Sequence, residues 1–151
     1  MRPNNLHASC VAIGNYGVLI RGPSGSGKSD LVLRLIDESF GATLVADDQT
    51  ILTKEADAVF AGPPEILAGK LEIRGQGIVT RPYLAKVKLS HIIDLVLSSE
   101  IVRMPEAHEL QTTLMELNFP CLKLDVLQAS APARIRAFLR GYVFSSDAKK
   151  R

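Results

Sequence analysis

Tryptophan is absent and aromatic residues make up only 5% of the 151 residues, so any core must be built mainly from aliphatic side chains. Cysteine is scarce: Cys10 and Cys121 each sit in an apolar run, Ala8-Ser-Cys-Val-Ala12 and Pro120-Cys-Leu-Lys-Leu124. Neither has a Cys/His partner at zinc-site spacing, so a metal-stapled or disulfide-framed fold is excluded and two buried thiols in a reducing compartment are expected. No apolar stretch approaches the roughly 20 residues of a membrane span. The first residues, Met1-Arg-Pro-Asn-Asn-Leu-His7, lack the apolar segment of a secretory signal. A cytoplasmic protein without membrane contact is the expectation. Charge of one sign is also missing: 18 Lys and Arg against 16 Asp and Glu leave +2, which provides no field for nucleic acid. The single charge run, Lys149-Lys150-Arg151, reads as part of a flexible basic tail over 146–151.

What is present is a balanced globular composition, 46% hydrophobic and 23% charged, with length for one domain, here 1–145. Residues 7–13 read as a strand, Gly14 to Gly17 as a turn and 17–21 as a short buried strand, together a hairpin. Leu31, Val32, Leu35 and Ile36 recur at helical spacing within 28–39, opposite Arg34, Asp37 and Glu38, and Gly41 ends that helix. Further strands are read at 43–47, 49–54 and 58–61, with a turn of helix opened by Pro63 or Pro64 through Leu67. Lys70–Arg74 and Gln76–Thr80 are extended pieces around Gly75 and Gly77. Ile92–Leu97 is a buried strand. Residues 106–119 fit a helix through Leu110, Leu114 and Leu117, or a strand through Thr113, Met115, Leu117 and Phe119; the reading leans to a strand paired with 121–126. A last helix spans about 131–140, with Ser130 as cap, Pro132 in its first turn, and Ile135, Phe138, Leu139 and Tyr142 on one face. The fold class is α/β: a single domain with a mixed sheet.

Gly22-Pro23-Ser24-Gly25-Ser26-Gly27-Lys28-Ser29 matches G-x-x-x-x-G-K-[ST] in full, after an apolar strand and before an amphipathic helix, the context this phosphate-binding loop requires. Gly25 and Gly27 permit backbone conformations that let successive N–H groups point at phosphate oxygens. The helix N-terminus adds partial positive charge. Lys28 brings a mobile cation to the β- and γ-phosphates, and Ser29 a hydroxyl ligand for magnesium. ATP and Mg2+ are the expected ligands.

Asp47 and Asp48 end the apolar strand Leu44-Val45-Ala46. In a straight strand they would face opposite sides, so both reach one site only if the chain bends there. One can then serve a metal while the other takes a proton. In Leu71-Glu72-Ile73-Arg74-Gly75-Gln76-Gly77, alternation puts Glu72 and Arg74 on one face and sends Leu71 and Ile73 to the core. On residue chemistry alone His7, at a strand start, reads as structural.

These segments, with Leu6-His7, Gly17 to Ser29, Leu44 to Asp48, Gly62-Pro-Pro-Glu-Ile-Leu67 and Leu71 to Ile78 in order, resemble the catalytic domain of the HPr kinase/phosphorylase family, in its short single-domain type of some proteobacteria. The similarity is dense from residue 6 to about 80. Beyond that it thins to Arg103-Met-Pro-Glu106 and the last helix. The resemblance implies a fold related to phosphoenolpyruvate carboxykinase and an ATP-dependent serine protein kinase acting on the phosphocarrier protein HPr. It also implies a reverse reaction with inorganic phosphate that releases pyrophosphate, a role in carbon-metabolism control through the phosphotransferase system, and ring-like hexamers. Lys28 and Ser29 keep the roles above. Asp48 aligns with the proton-transfer residue, with Asp47 beside the metal, the two being exchangeable. Glu72 matches a second magnesium ligand, and His7 a histidine near the acidic pair. Arg103 matches an arginine that neutralises charge on the transferring group. A small-molecule P-loop kinase or carboxykinase-like enzyme, and a non-catalytic nucleotide-sensing module, are the alternatives.

Overall fold

The computed structural model describes residues 3–37 and 40–141. Two strands at its start, β1 (Asn4–Leu6) and β2 (Ala8–Ile13), are separated by His7 alone. A tight turn at Gly14-Asn15 returns the chain as β3 (Tyr16–Arg21), antiparallel to β2 from Ile13↔Tyr16 to Ala8↔Arg21. β4 (Thr43–Ala46) adds to the other side of β2, also antiparallel, with Cys10 opposite Ala46. These pairings bring the start of β2, the end of β3 and the end of β4 to one edge of the sheet.

The remaining strands complete a curled mixed sheet. β5 (Thr50–Glu55) and β6 (Ala58–Gly62) form a hairpin, and β1 pairs with β5. β9 (Val87–Leu95) runs parallel to β3, meets β6 through Val87 and Lys88, and runs parallel to β11 (Leu117–Leu124) through Ile92 to Leu95. The order is β1-β5-β6-β9-β3-β2-β4, with β10 (Gln111–Leu114) on β11. Because β1 and β2 are nearly continuous yet pair at different places in that order, the sheet curls. β7 (Lys70–Ile73) and β8 (Gly77–Thr80) form a separate hairpin.

Period-2 alternation divides the core between the two faces. Val11, Val18, Ile20 and Ile93 meet Leu31, Val32, Leu35 and Ile36 of helix α1 (Lys28–Ile36) and Ile135 of helix α2 (Ala131–Arg140). Cys10, Leu19, Leu52, Ile92, Phe119 and Cys121 fill the concave side. Both thiols are buried and free, and desolvation pushes each up to about 12, so neither is a nucleophile at neutral pH.

The expected elements form with shifted ends. α1 stops at Ile36, because Asp37 is already extended (φ −59°, ψ 147°); Glu38 of the expected polar face lies outside the described residues, as do Tyr142 and the 146–151 tail. The Pro63-Pro64 helix is one 3-10 turn, Glu65–Leu67. α2 has the expected span, but Ser130 makes no side-chain cap; its hydroxyl instead accepts from Arg134 Nε at 2.8 Å. The strand read over 106–119 is corrected. Residues 107–110 are a 3-10 turn, β10 covers 111–114, and Leu117 and Phe119 belong to β11 itself. The chain reverses at Met115-Glu116, both at positive φ (51° and 69°), a turn formed without the glycine or asparagine that normally marks one.

Candidate functional site

The loop leaves the end of β3 at Gly22. Its base is fixed by a bidentate ion pair between Arg21, the last residue of β3, and Asp94 of the parallel strand β9, at 2.7 and 2.9 Å. The Ser26 amide donates to Pro23 O at 3.0 Å, tightening the turn. Gly27 has φ +96°, and a Cβ there would lie 2.9 Å from a Val126 methyl, so only glycine fits. α1 starts immediately afterwards with no side-chain cap, which leaves its first-turn N–H groups directed out of the helix end. Lys28 is 5% exposed, and its ammonium is held by the carbonyls of Gly22 (2.7 Å) and Pro23 (3.0 Å). Burial lowers its pKa, countered by the nearby Asp48 and Asp47 carboxylates.

The chain bends between the two acids, but the bend parts their carboxylates instead of bringing both to one site. Asp47, 8% exposed, receives the Ser29 hydroxyl at 2.8 and 2.9 Å and the Ser9 hydroxyl at 3.0 Å. At Asp48 the backbone turns to φ +69°, sending its carboxylate to the opposite, open side. There His7 Nε2 meets it at 2.9 Å, both side chains being about half exposed (53% and 58%). Sequence reasoning missed Ser9: its oxygen also accepts the Asp48 amide at 3.1 Å, so one buried hydroxyl ties both acids to β2. The signal for it was a serine in an otherwise apolar strand, where a buried hydroxyl needs partners.

A cleft of about 340 Å³ lies over these groups, lined among others by His7, Gly25, Lys28, Ser29, Asp48 and Glu72. Glu72 and Arg74 line it from the β7–β8 hairpin with Leu71 buried behind them, as the alternation predicts, whereas Ile73, expected in the core, is only partly buried and lines the cleft as well. Neither the Glu72 nor the Arg74 side chain makes a hydrogen bond or ion pair among the described residues. Asp30 lines it too, from the first turn of α1. Arg103 is exposed on the segment after β9 and is not among the lining residues.

The donor set fits a phosphate chain with magnesium. The uncapped helix end and the Ser26 hydroxyl, buried with no partner among the described residues, are unused polar groups at the loop. Ser29 and Asp47 present hard oxygen ligands, and magnesium commonly takes one or two carboxylates and completes its shell with waters and phosphates. Among the described residues no group of three His, Cys, Asp or Glu converges closely enough to hold a metal by itself. Glu72 lines the cleft without belonging to such a group.

The HPr Serine kinase C-terminal domain family matches residues 2–135. The HPr kinase/phosphorylase of Clostridium tetani is 32% identical over 133 residues, covering 85% of this chain and 42% of that protein. The HPr kinase/phosphorylase of Xylella fastidiosa is 48% identical over 75 residues, 49% of this chain and 23% of that protein. The chain thus spans less than half the length of these relatives. The structure of the Hpr(Ser) kinase/phosphatase from Coxiella burnetii superposes with a TM-score of 0.78 at 26% identity, covering 91% of this chain and 88% of that one. A match across most of the chain, joined to the same curled mixed sheet, makes this protein a member of the HPr serine kinase C-terminal domain family.

Proposed function

We propose that this chain transfers the γ-phosphoryl group of ATP to a serine hydroxyl of HPr and catalyses the reverse removal by inorganic phosphate. The observation that carries the reading is the separation of the two acids: Asp47 against Ser29 below, Asp48 against His7 above, on the open side of the loop. The loop amides and the N-terminus of α1 bind the phosphates. Lys28 leaves the carbonyls of Gly22 and Pro23 to meet the β- and γ-oxygens. Ser29 and Asp47 would hold magnesium, with Glu72 as a further ligand; the ion would supply neutralisation of the phosphate charge.

Asp48 accepts the serine proton as the seryl oxygen bonds to the γ-phosphorus and the bond to the β-phosphate oxygen breaks, releasing ADP. His7 orients Asp48 through the 2.9 Å contact. In reverse, Asp48 returns the proton to the seryl oxygen as inorganic phosphate attacks phosphoserine, and pyrophosphate leaves. The half-exposed Asp48–His7 end leaves room for a loop of a folded protein, which favours HPr over a small enclosed substrate. Arg103 enters through family resemblance alone and would have to cross from its exposed segment to reach the transferring group. The proposal extends to cytoplasmic control of carbon metabolism through the phosphotransferase system, and to a homo-oligomer, hexameric by resemblance.

Incubation with radiolabelled ATP, Mg2+ and purified HPr tests the reading. Phosphoserine on HPr, reversed by added phosphate with pyrophosphate release, is the expected outcome. Absence of phosphoserine across metals and nucleotides would reject it in favour of a small-molecule kinase or a sensing module.

A further inference from the structure

A second cavity, about 590 Å³, lies between α1 and α2 and is lined by Leu33, Arg34, Asp37, Phe40, Pro132 and Arg136, with Ala129 and Ala133. Its size falls within the range of small-molecule sites. It adjoins the cleft at one shared residue. Leu33 lines both, and one stripe of α1 runs through them, with Ser29, Asp30 and Leu33 in the first and Leu33 and Arg34 in the second, where Asp37 follows just past the helix end. Asp30 and Arg34 join the two as an ion pair at 3.4 Å.

Its far wall is fixed to the loop. Arg34 Nη2 donates to Val126 O at 2.6 Å and Nη1 to Gln128 O at 3.5 Å, and Val126 also closes against Gly27. Its lining is apolar with planar groups: Leu33, Pro132 and Ala133, and the Phe40 ring under the Arg136 guanidinium at 4.1 Å, which also donates to Phe40 O at 3.2 Å. A flat heteroaromatic ring stacks on such surfaces, and guanidinium planes accept it as rings do. The rim carries charge of both signs, from Arg34, Arg136 and Asp37, suited to ribose hydroxyls and a base edge.

We infer that this groove seats the nucleoside of the phosphoryl donor, with its phosphates running from Leu33 back to the loop. The inference rests on the nucleotide reading of the cleft and adds the half of the ligand that the loop does not hold. It makes Leu33, Pro132, Ala133 and Arg136 the residues that distinguish a nucleoside triphosphate from a bare polyphosphate.

The probes are ATP and inorganic tripolyphosphate, each titrated with Mg2+ into wild-type protein, Ala133→Trp, which fills the groove from an exposed helix position, and Arg136→Glu. Wild type should bind ATP at least about tenfold more tightly than tripolyphosphate, and each variant should lose about that factor for ATP alone. The tryptophan would be the sole one in the chain, so its emission also reports folding and should change with ATP but not with tripolyphosphate. Equal wild-type affinity for the two ligands, or variants that leave ATP binding unchanged or lose both ligands alike, would overturn the groove as nucleoside seat. Wild-type protein that binds neither ligand would remove the nucleotide reading itself.

Discussion

Ser29 donates its hydroxyl to both carboxylate oxygens of Asp47, at 2.8 and 2.9 Å, although 18 residues separate them. Helix α1 supplies one group and the end of β4 the other. They meet because β4 and β3 flank β2, so the loop and the acid emerge from the same edge of the sheet. Asp47 is therefore a bridge between loop and sheet, and Ser9 holds its other side.

Asp47→Ala removes the acceptor for two hydroxyls, one of them on fully buried Ser9, and should destabilise the fold by about 1–3 kcal/mol. Asp47→Asn keeps the shape and should lose most of that penalty while still losing magnesium-dependent binding of ATP. Chemical denaturation together with nucleotide titration, with and without Mg2+, separates the two effects. An Asn variant with wild-type magnesium dependence would remove Asp47 from the metal.

The Asp48 carboxylate turns away from this brace, half exposed and, among the described residues, paired with His7 alone, although its amide still donates to Ser9. Asp48→Asn should leave ATP affinity within about twofold and lower transfer to HPr by about 10²–10⁴. His7→Ala should lower it less, since it acts through Asp48. Equal loss of ATP binding in Asp48→Asn would mean that the residue serves the nucleotide rather than the acceptor.

Much of this was legible in the sequence, and the reason is that loop chemistry is local. Gly27, Lys28 and Ser29 act through their own backbone and immediate neighbours, so the motif located them. A bend between Asp47 and Asp48 was also readable, because two adjacent carboxylates cannot share a site on a straight strand, but its sense was not: it sends one to Ser29 and the other to His7. Glu72 and Arg74 followed from alternation against Leu71, although Ile73 between them lines the cleft as well. The contribution of Ser9 was not readable, because it depends on register between strands about 40 residues apart. The hairpin at 111–124 was blurred for a related reason: Leu117 and Phe119 point to the concave core only once β11 lies beside β9, and the turn at Met115-Glu116 lacks the usual residues.

His91 gives a pH prediction for the fold. Its ring packs edge-on against Tyr16 and Phe138, at 5.1 and 5.7 Å, and burial lowers its pKa below the usual value. The unfolded chain then binds this proton more readily than the folded one, so stability falls as pH drops below about 6.5 and levels off once the folded ring also protonates. His91→Phe should flatten this part of the acid limb in denaturation curves measured beside wild type. An unchanged slope would show that His91 does not carry it.

The thiols give a chemical check on the core. Cys10 and Cys121 sit on the concave face, and Cys121 donates to Asp94 at 3.3 Å beside the Arg21 ion pair. Iodoacetamide at pH 8 should label neither in the native protein and both after unfolding in denaturant, read by mass spectrometry. Rapid native labelling would mean that the sheet opens at its centre.

The central claim concerns where a triphosphate meets this chain, and a crystal structure with Mg2+ and a non-hydrolysable ATP analogue tests it most directly. The phosphates should lie on the Gly22–Ser29 backbone, with Lys28 turned from the carbonyls of Gly22 and Pro23 onto them, magnesium on Ser29 beside Asp47, and Asp48 facing the terminal phosphate. Phosphates bound elsewhere, or a Lys28 still closed on its own loop with the analogue in place, would contradict the account.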